Sequence, residues 1–232
     1  MNNGRVKKRS PALFEEGHKK EAVFRRTIIR WGGRNSRSFP WRDKADLYSV
    51  VVGEVLLQRT RGEHVVDVYD SFLRRWPDAE ALAKARVTSI ANVIRPLGLS
   101  KRASILKQLG VALVERGSVP ADPDELIELP GLGPYAAHSV PIFAGGKNLP
   151  LVDWVIARVL RRYFGFPEGR RPNADPDLWA LATRLVRSGR ARDLWLGTLD
   201  FGARVCSPRP KCPVCPLNPS CSLFARKNLA EV

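Results

Sequence analysis

The stretch Glu128-Leu129-Pro130-Gly131-Leu132-Gly133-Pro134-Tyr135 decides how this chain folds, because two glycines bracketing one residue, flanked by prolines, sit between two helical patterns. Upstream, residues 123–129 read as a short helix with acids in its first turn and apolar residues at 126, 127 and 129. Gly131 and Gly133 supply backbone freedom for a tight reversal, and Pro134 suits the first position of the next helix. The product is a hairpin between two helices. Several backbone N–H groups at the second helix start then point outward with no bulky side chain over them, and such a place accepts a phosphate. Taken alone, the same residues also fit an ordinary αα-turn.

Before the hairpin, residues 46–60 read as an amphipathic helix, almost wholly apolar from Val50 to Leu57 except at Glu54. A carboxyl inside such a run is expensive to bury unless it is paired or useful. Burial would raise its pKa, which is what a general acid working near neutral pH needs. A Glu54 that faces solvent from a wet stripe of the helix is the competing reading. After the hairpin, residues 135–144 form a helix that Pro141 should bend or shorten. Leu149-Pro150-Leu151-Val152-Asp153 then leads into a helix over 154–164 that carries Arg158, Arg161 and Arg162. Asp153 stands where an N-cap belongs, which explains an aspartate without any function. A carboxylate at that point, facing a cleft opposite Glu54, would instead be the second half of an acid/base pair.

Elsewhere the apolar spacing gives helices over residues 21–31, 64–75, 78–85, 88–95 and 101–116, the first of them ended by Gly32-Gly33. Neither alternating strand-like runs nor a 20–50-residue repeat occurs, so the fold class is all-α. Ser38-Phe39-Pro40-Trp41-Arg42 is an aromatic turn that suits core packing, or a platform beside a base.

With 232 residues, 44% of them hydrophobic, the chain can bury a real core in one large or two small domains. Lys and Arg number 39 against 23 acids, a formal charge of +16, which suggests a polyanionic partner. The arginines are spread along the chain rather than confined to a tail. No run approaches the ~20 apolar residues of a membrane span. Residues 1–20 carry basic residues but no apolar stretch of a secretory signal, and read as a disordered basic tail. Three scattered histidines, 18, 64 and 138, offer little material for a histidine metal site or triad.

All four cysteines fall within sixteen residues, as Cys206-x5-Cys212-x2-Cys215-x5-Cys221, interleaved with prolines. Thiolates this close form a metal or cluster site, either zinc on four sulfurs or [4Fe–4S]. Two disulfides compete poorly in a signal-less chain with no other cysteine. Spacing by itself does not choose between zinc and iron–sulfur.

Glu54-Val55-Leu56-Leu57-Gln58-Arg59-Thr60, Leu129-Pro130-Gly131-Leu132-Gly133, Leu151-Val152-Asp153 and the four cysteines, in that order, resemble the helix-hairpin-helix DNA base-excision glycosylases of the endonuclease III type. The likeness covers roughly residues 21–222 and is nearest to the mismatch-specific thymine DNA glycosylases, with the adenine glycosylases next. Phe39-Pro40-Trp41-Arg42, Gly98-Leu99-Ser100, Tyr135, the 158–164 segment and Leu199-Asp200-Phe201 carry that finer likeness.

The resemblance implies a two-lobed, all-α protein that binds double-stranded DNA as a monomer in the cytoplasm, associated with the nucleoid. Residues 45–144 would form a six-helix bundle with the hairpin, and residues 21–44 plus 145–232 the second lobe, with a structural [4Fe–4S] cluster on Cys206, Cys212, Cys215 and Cys221. Gln58, Arg59 and Leu99 would fill the gap left by a flipped base, while Leu129, Gly131 and Gly133 would hold a phosphate. Glu54 would assist departure of the base, Asp153 would stabilise the cationic sugar, and Tyr135 would line the pocket. Three departures stand out. The first cysteine gap is one residue shorter than the family's six. Val155 replaces an asparagine often found two residues after the aspartate. Tyr135 stands where bifunctional relatives carry a Schiff-base lysine, and a phenol cannot replace an amine nucleophile. The expected activity is therefore monofunctional hydrolysis of the N-glycosidic bond of thymine or uracil opposite guanine. Adenine removal from A:G or A:8-oxoguanine pairs is the alternative, although the chain ends at Val232, soon after Cys221, without room for the domain with which such enzymes read the oxidised guanine. A non-catalytic iron–sulfur DNA-binding protein is the second alternative.

Overall fold

The computed structural model describes residues 11–44, 46–98 and 101–230, and among them every regular element is a helix. Leu99, expected to enter the duplex, lies outside the described residues, as does the first half of the basic tail. Among the described residues no helix is long and apolar enough to cross a membrane. The chain divides into two compact units, one of residues 1–36, 154–188 and 193–232, the other of residues 37–153 and 189–192. Residues 37–44 and 145–153 therefore belong with the hairpin rather than with the cysteines.

The hairpin unit is built around its first long helix. Twelve helices run through the whole of the described chain, beginning with α1 (Pro11–Asn35), α2 (Leu47–Leu57) and α3 (Gly62–Arg75). Asp46 caps α2, its side chain accepting from the Ser49 N–H at 2.7 Å. Every residue of α2 from Tyr48 to Leu56 is buried, so this helix is a central post wrapped on all sides. The sequence suggested an amphipathic helix with a possible wet stripe at Glu54, and that stripe is covered.

Around α2 pack α3, α6 (Lys101–Arg116) and α8 (Pro134–Phe143), while α4 (Ala79–Lys84) and α5 (Val87–Ile94) lie against α6. The hairpin joins α7 (Pro123–Leu126) to α8. Expected to reach residue 129, α7 stops at Leu126, because Glu128 and Leu129 bond to carbonyls three residues back and tighten the chain into a turn. Pro141 lies inside α8, which ends two residues later at Phe143.

The other unit gathers α1, α9 (Trp154–Phe164), α10 (Pro176–Val186), most of α11 (Ala191–Arg204) and α12 (Ser222–Ala230). Here two sequence expectations fail: residues 11–20, read as part of a disordered tail, are the start of α1, and Gly32-Gly33 does not end that helix, which runs on to Asn35. A Cβ on Gly32 would lie 3.0 Å from the Gly197 Cα, so the glycine permits a close helix approach rather than a stop.

Candidate active site

Glu54 is 8% exposed, the one carboxylate among nine consecutive buried residues of α2. Desolvation pushes its pKa up to about 7; a hydrogen bond from Ser139 on α8 pulls the other way, and the nearby charge of Asp153 pushes it further up. Ser139 is fully buried and its hydroxyl also lies 3.2 Å from the Ala136 carbonyl, so one proton is shared between two acceptors. Tyr135, one turn earlier on α8, has its phenol held well above the ordinary value, first by burial, then by the charges of Glu54 and Asp153, against an opposing Arg42. The fold thus brings Glu54, Tyr135 and Asp153 into one electrostatic neighbourhood inside the hairpin unit. Asp153 is partly buried and directly precedes α9.

Arg42 reaches this neighbourhood because Pro40–Arg42 form one turn of 3-10 helix. Its guanidinium donates to the Arg37 carbonyl at 2.8 Å and lies 5.2 Å from the Phe39 ring centre. Phe39 and Trp41 stack at 4.8 Å and Trp41 meets Tyr69 edge-on, so this aromatic turn is packing that aims an arginine.

Beyond the C-terminal end of α2, Gln58 and Arg59 are exposed, and Arg59 takes a left-handed φ of 55°. Gln58 Nε2 donates to the Gly131 carbonyl at 2.6 Å, tying this turn to the hairpin. Gly131 has φ of 83° and a Cβ there would run into the Ile105 side chain, so only glycine fits. Gly133 differs from expectation. Its φ of −111° is open to any residue, and a Cβ there would meet nothing within 4 Å. Its contribution is an uncovered helix start, not backbone freedom. Leu129 is buried, so it supports the turn from within. Sequence reasoning missed Ser139 and the buried Arg102, because Glu54, on which Ser139 acts, and the carbonyls that Arg102 meets lie far off in the chain and leave no local pattern.

In the other unit, Cys206, Cys212, Cys215 and Cys221 are all free and partly buried. Burial, eased by a Leu217 N–H but reinforced by the charges of the other three cysteines, pushes the Cys215 thiol up to about 11. Four thiols that influence one another this way converge on one place. Cys212 and Cys221 sit on turns closed by Cys215 N–H to Cys212 O and Cys221 N–H to Asn218 O bonds. From α9, Arg158 donates to the Cys206 carbonyl at 3.0 Å and Arg162 to the Ser207 carbonyl at 2.6 Å, with its Nη1 3.7 Å from Cys206 Sγ. Among the described residues no three His, Cys, Asp or Glu side chains are drawn tightly enough to hold one metal ion. Four cysteines in one short loop are, by donor type and number, the set a four-iron cluster takes, one cysteine on each iron. Val155 packs against Gly202 of α11.

Over residues 52–181 the chain matches the profile of the HhH-GPD superfamily base excision DNA repair proteins. It is 42% identical over 212 residues to a thymine/uracil-DNA glycosylase of Pyrobaculum aerophilum, covering 88% of this chain and 92% of that protein. To the human adenine DNA glycosylase it is 33% identical, over 86% of this chain but 39% of that protein. Among solved structures, a thermostable thymine-DNA glycosylase superposes with a TM-score of 0.85 at 37% identity, covering 90% of this chain and 99% of that one.

Proposed function

Since the chain belongs to the HhH-GPD superfamily of base excision DNA repair proteins, we propose that it removes thymine or uracil from duplex DNA by hydrolysing the N-glycosidic bond, the base opposite being guanine. The whole-length likeness to thymine/uracil-DNA glycosylases supports this substrate over adenine. The observation that carries the mechanism is the burial of the Glu54 carboxylate, 8% exposed within α2 and close to Asp153 and Tyr135, which pushes its pKa up to about 7.

A pyrimidine inside the stack is first flipped out, at a cost smallest for a mispaired base. Glu54, half protonated near neutrality, gives its proton to the departing base as the bond from C1′ to N1 breaks and its electron pair leaves with the ring. The sugar is left cationic. Asp153 meets that charge and orients the water whose oxygen then bonds to C1′, the displaced proton returning to Glu54. Two neighbouring carboxyls in unequal surroundings thus divide the acid and electrostatic roles. Tyr135 stays protonated at physiological pH and lines the pocket. No amine stands in its place, so the abasic product leaves intact and the enzyme is monofunctional. Gln58 and Arg59 fill the vacated gap, and the N–H groups near Gly131 and Gly133 hold a backbone phosphate. The four cysteines would carry a [4Fe–4S] cluster, which would brace the loop held by Arg158 and Arg162 and supply no catalytic step.

The deciding experiment incubates the protein with duplexes carrying T:G, U:G, A:8-oxoguanine and thymine glycol, then treats each with alkali. Base release from T:G and U:G, strand cleavage only after alkali, and no borohydride-trapped adduct are expected. Preferential adenine release would sink the substrate assignment, and trapping would sink the monofunctional one.

A further inference from the structure

Arg102 is 3% exposed and its guanidinium faces backbone rather than carboxylate. Near the start of α6, it donates from Nη1 to the Leu56 carbonyl at 2.7 Å and from Nη2 to the Gln58 carbonyl at 2.7 Å, with Thr60 Oγ1 at 3.2 Å. Thr60 itself donates to the Gln58 carbonyl at 3.2 Å. The last carbonyls of a helix lack partners within it and carry the negative end of its dipole, so a buried cation supplied by another helix answers both needs. Desolvation lowers the pKa of Arg102, which marks the burial as unfavourable in itself. Ending α2 with a glycine would have been simpler. What the arginine achieves is a turn of particular shape: Gln58 leaves the helix at ψ 120°, Arg59 is forced to φ 55°, and both side chains stand exposed on a fixed base. A left-handed arginine is costly unless its surroundings hold it, and this one is held from below by Arg102 and from the side by the Gln58 bond to Gly131.

We propose that Arg102 is a positioning residue for base extrusion, clamping the end of α2 so that Gln58 and Arg59 are presented ready-formed to the gap in the duplex. This rests on the reading of Gln58 and Arg59 as the gap-filling residues. Without the clamp the turn relaxes, and the order it needs to enter DNA must be recovered during binding.

The test compares the unmodified protein with Arg102→Met, Arg102→Lys and the pair Gln58→Ala/Arg59→Ala, alone and combined with Arg102→Met. Two readouts are affinity for a T:G duplex relative to a matched duplex, and 2-aminopurine fluorescence beside the mispaired thymine as a report of flipping. Arg102→Met should lower the affinity ratio by about tenfold, the scale of lost hydrogen bonds to a charged group, and blunt the fluorescence rise. In the Gln58→Ala/Arg59→Ala background the same change should have no further effect, a non-additivity that a merely structural arginine would not show. If the double alanine variant itself keeps full discrimination, the gap-filling reading fails whatever Arg102 does. If it loses discrimination while folded Arg102→Met keeps it, the positioning role fails. Should Arg102→Met not fold, Arg102→Lys decides, because an ammonium keeps the charge but cannot span the acceptors. An intermediate affinity ratio supports the proposal and a full one overturns it.

Discussion

Two buried acids, Glu54 in the hairpin unit and Asp175 in the unit with the cysteines, are treated in opposite ways. Asp175, in the unit with the cysteines, is 6% exposed and Arg161 donates to its Oδ2 at 2.8 Å, while its Oδ1 caps α10 through the Leu178 N–H at 3.4 Å. Burial alone would raise its pKa, but the hydrogen bonds from Arg161 and Leu178 and the Arg161 charge leave it lowered. Glu54 is buried to a similar degree with a serine hydroxyl for a partner and another carboxylate nearby, and its pKa rises to about 7. Of this pair, the acid with a cation holds the fold together, and the acid without one is the group proposed for proton transfer, kept at the expense of stability.

The largest effect that could break this contrast is on rate. On the proposed mechanism Glu54→Gln, losing the general acid, and Asp153→Asn, losing the charge that meets the cationic sugar, should each slow single-turnover base release by about 10²–10⁴, with mismatch binding nearly unchanged because both would act on charge that develops after flipping. Asp175→Asn should leave the rate per folded molecule intact. Equal losses in all three variants would erase the distinction between the two acids.

Stability should show the mirror image. Removing the carboxylate of Asp175 strands a buried guanidinium, and urea unfolding should report a loss of about 3 kcal/mol. For Glu54 the folded pKa lies above the unfolded one, so the native state is favoured below about pH 4.5 and loses that advantage as pH rises to about 7. Above that window the ionised, buried carboxylate costs up to about 3 kcal/mol, at 1.36 kcal/mol per pKa unit. Glu54→Gln should therefore raise the unfolding midpoint at pH 8 and change little at pH 4. Asp175 has the opposite sign: its contribution is present above the unfolded carboxylate value near 3.8 and disappears as pH falls through the lowered native one. Acid unfolding of the unmodified protein should accordingly be steeper than that of Asp175→Asn.

How much of this was legible before the fold was known follows from where the partners lie in the chain. Glu54 announced itself, because an acid inside an apolar run is a local pattern, and the hairpin announced itself through Gly131 and Pro134. Asp175 drew no reading from the sequence, since nothing near Asp175-Pro176 says that Arg161, on another helix, will meet it. Arg102 is hidden for the same reason, since the carbonyls it caps are 44 and 46 residues away. Gly32 was misread because a glycine that stops a helix and one that lets two helices touch look alike until the second helix, here at Gly197, is in place.

The finest test of the contrast lies at Ser139. It is the one group acting on Glu54 that lowers its pKa, and its hydroxyl is within reach of both the carboxylate and the Ala136 carbonyl. Ser139→Ala removes that hydrogen bond without adding bulk, leaving burial and the Asp153 charge unopposed. The pKa of Glu54 must then rise above about 7. On the proposed mechanism the acid form is the active one, so the rate should fall as pH rises through that pKa, and in Ser139→Ala the fall should begin at higher pH. A hydrogen bond of this kind to a charged group is worth about 1.5–3 kcal/mol, and sharing its proton with Ala136 reduces that, so a displacement of about half to one pH unit is expected, at 1.36 kcal/mol per unit. The opposite displacement would mean that Glu54 works as the carboxylate and that its burial serves a base rather than an acid. An unmoved profile would mean that another group sets the limb, and the parallel between a paired Asp175 and a poised Glu54 would then rest on stability alone.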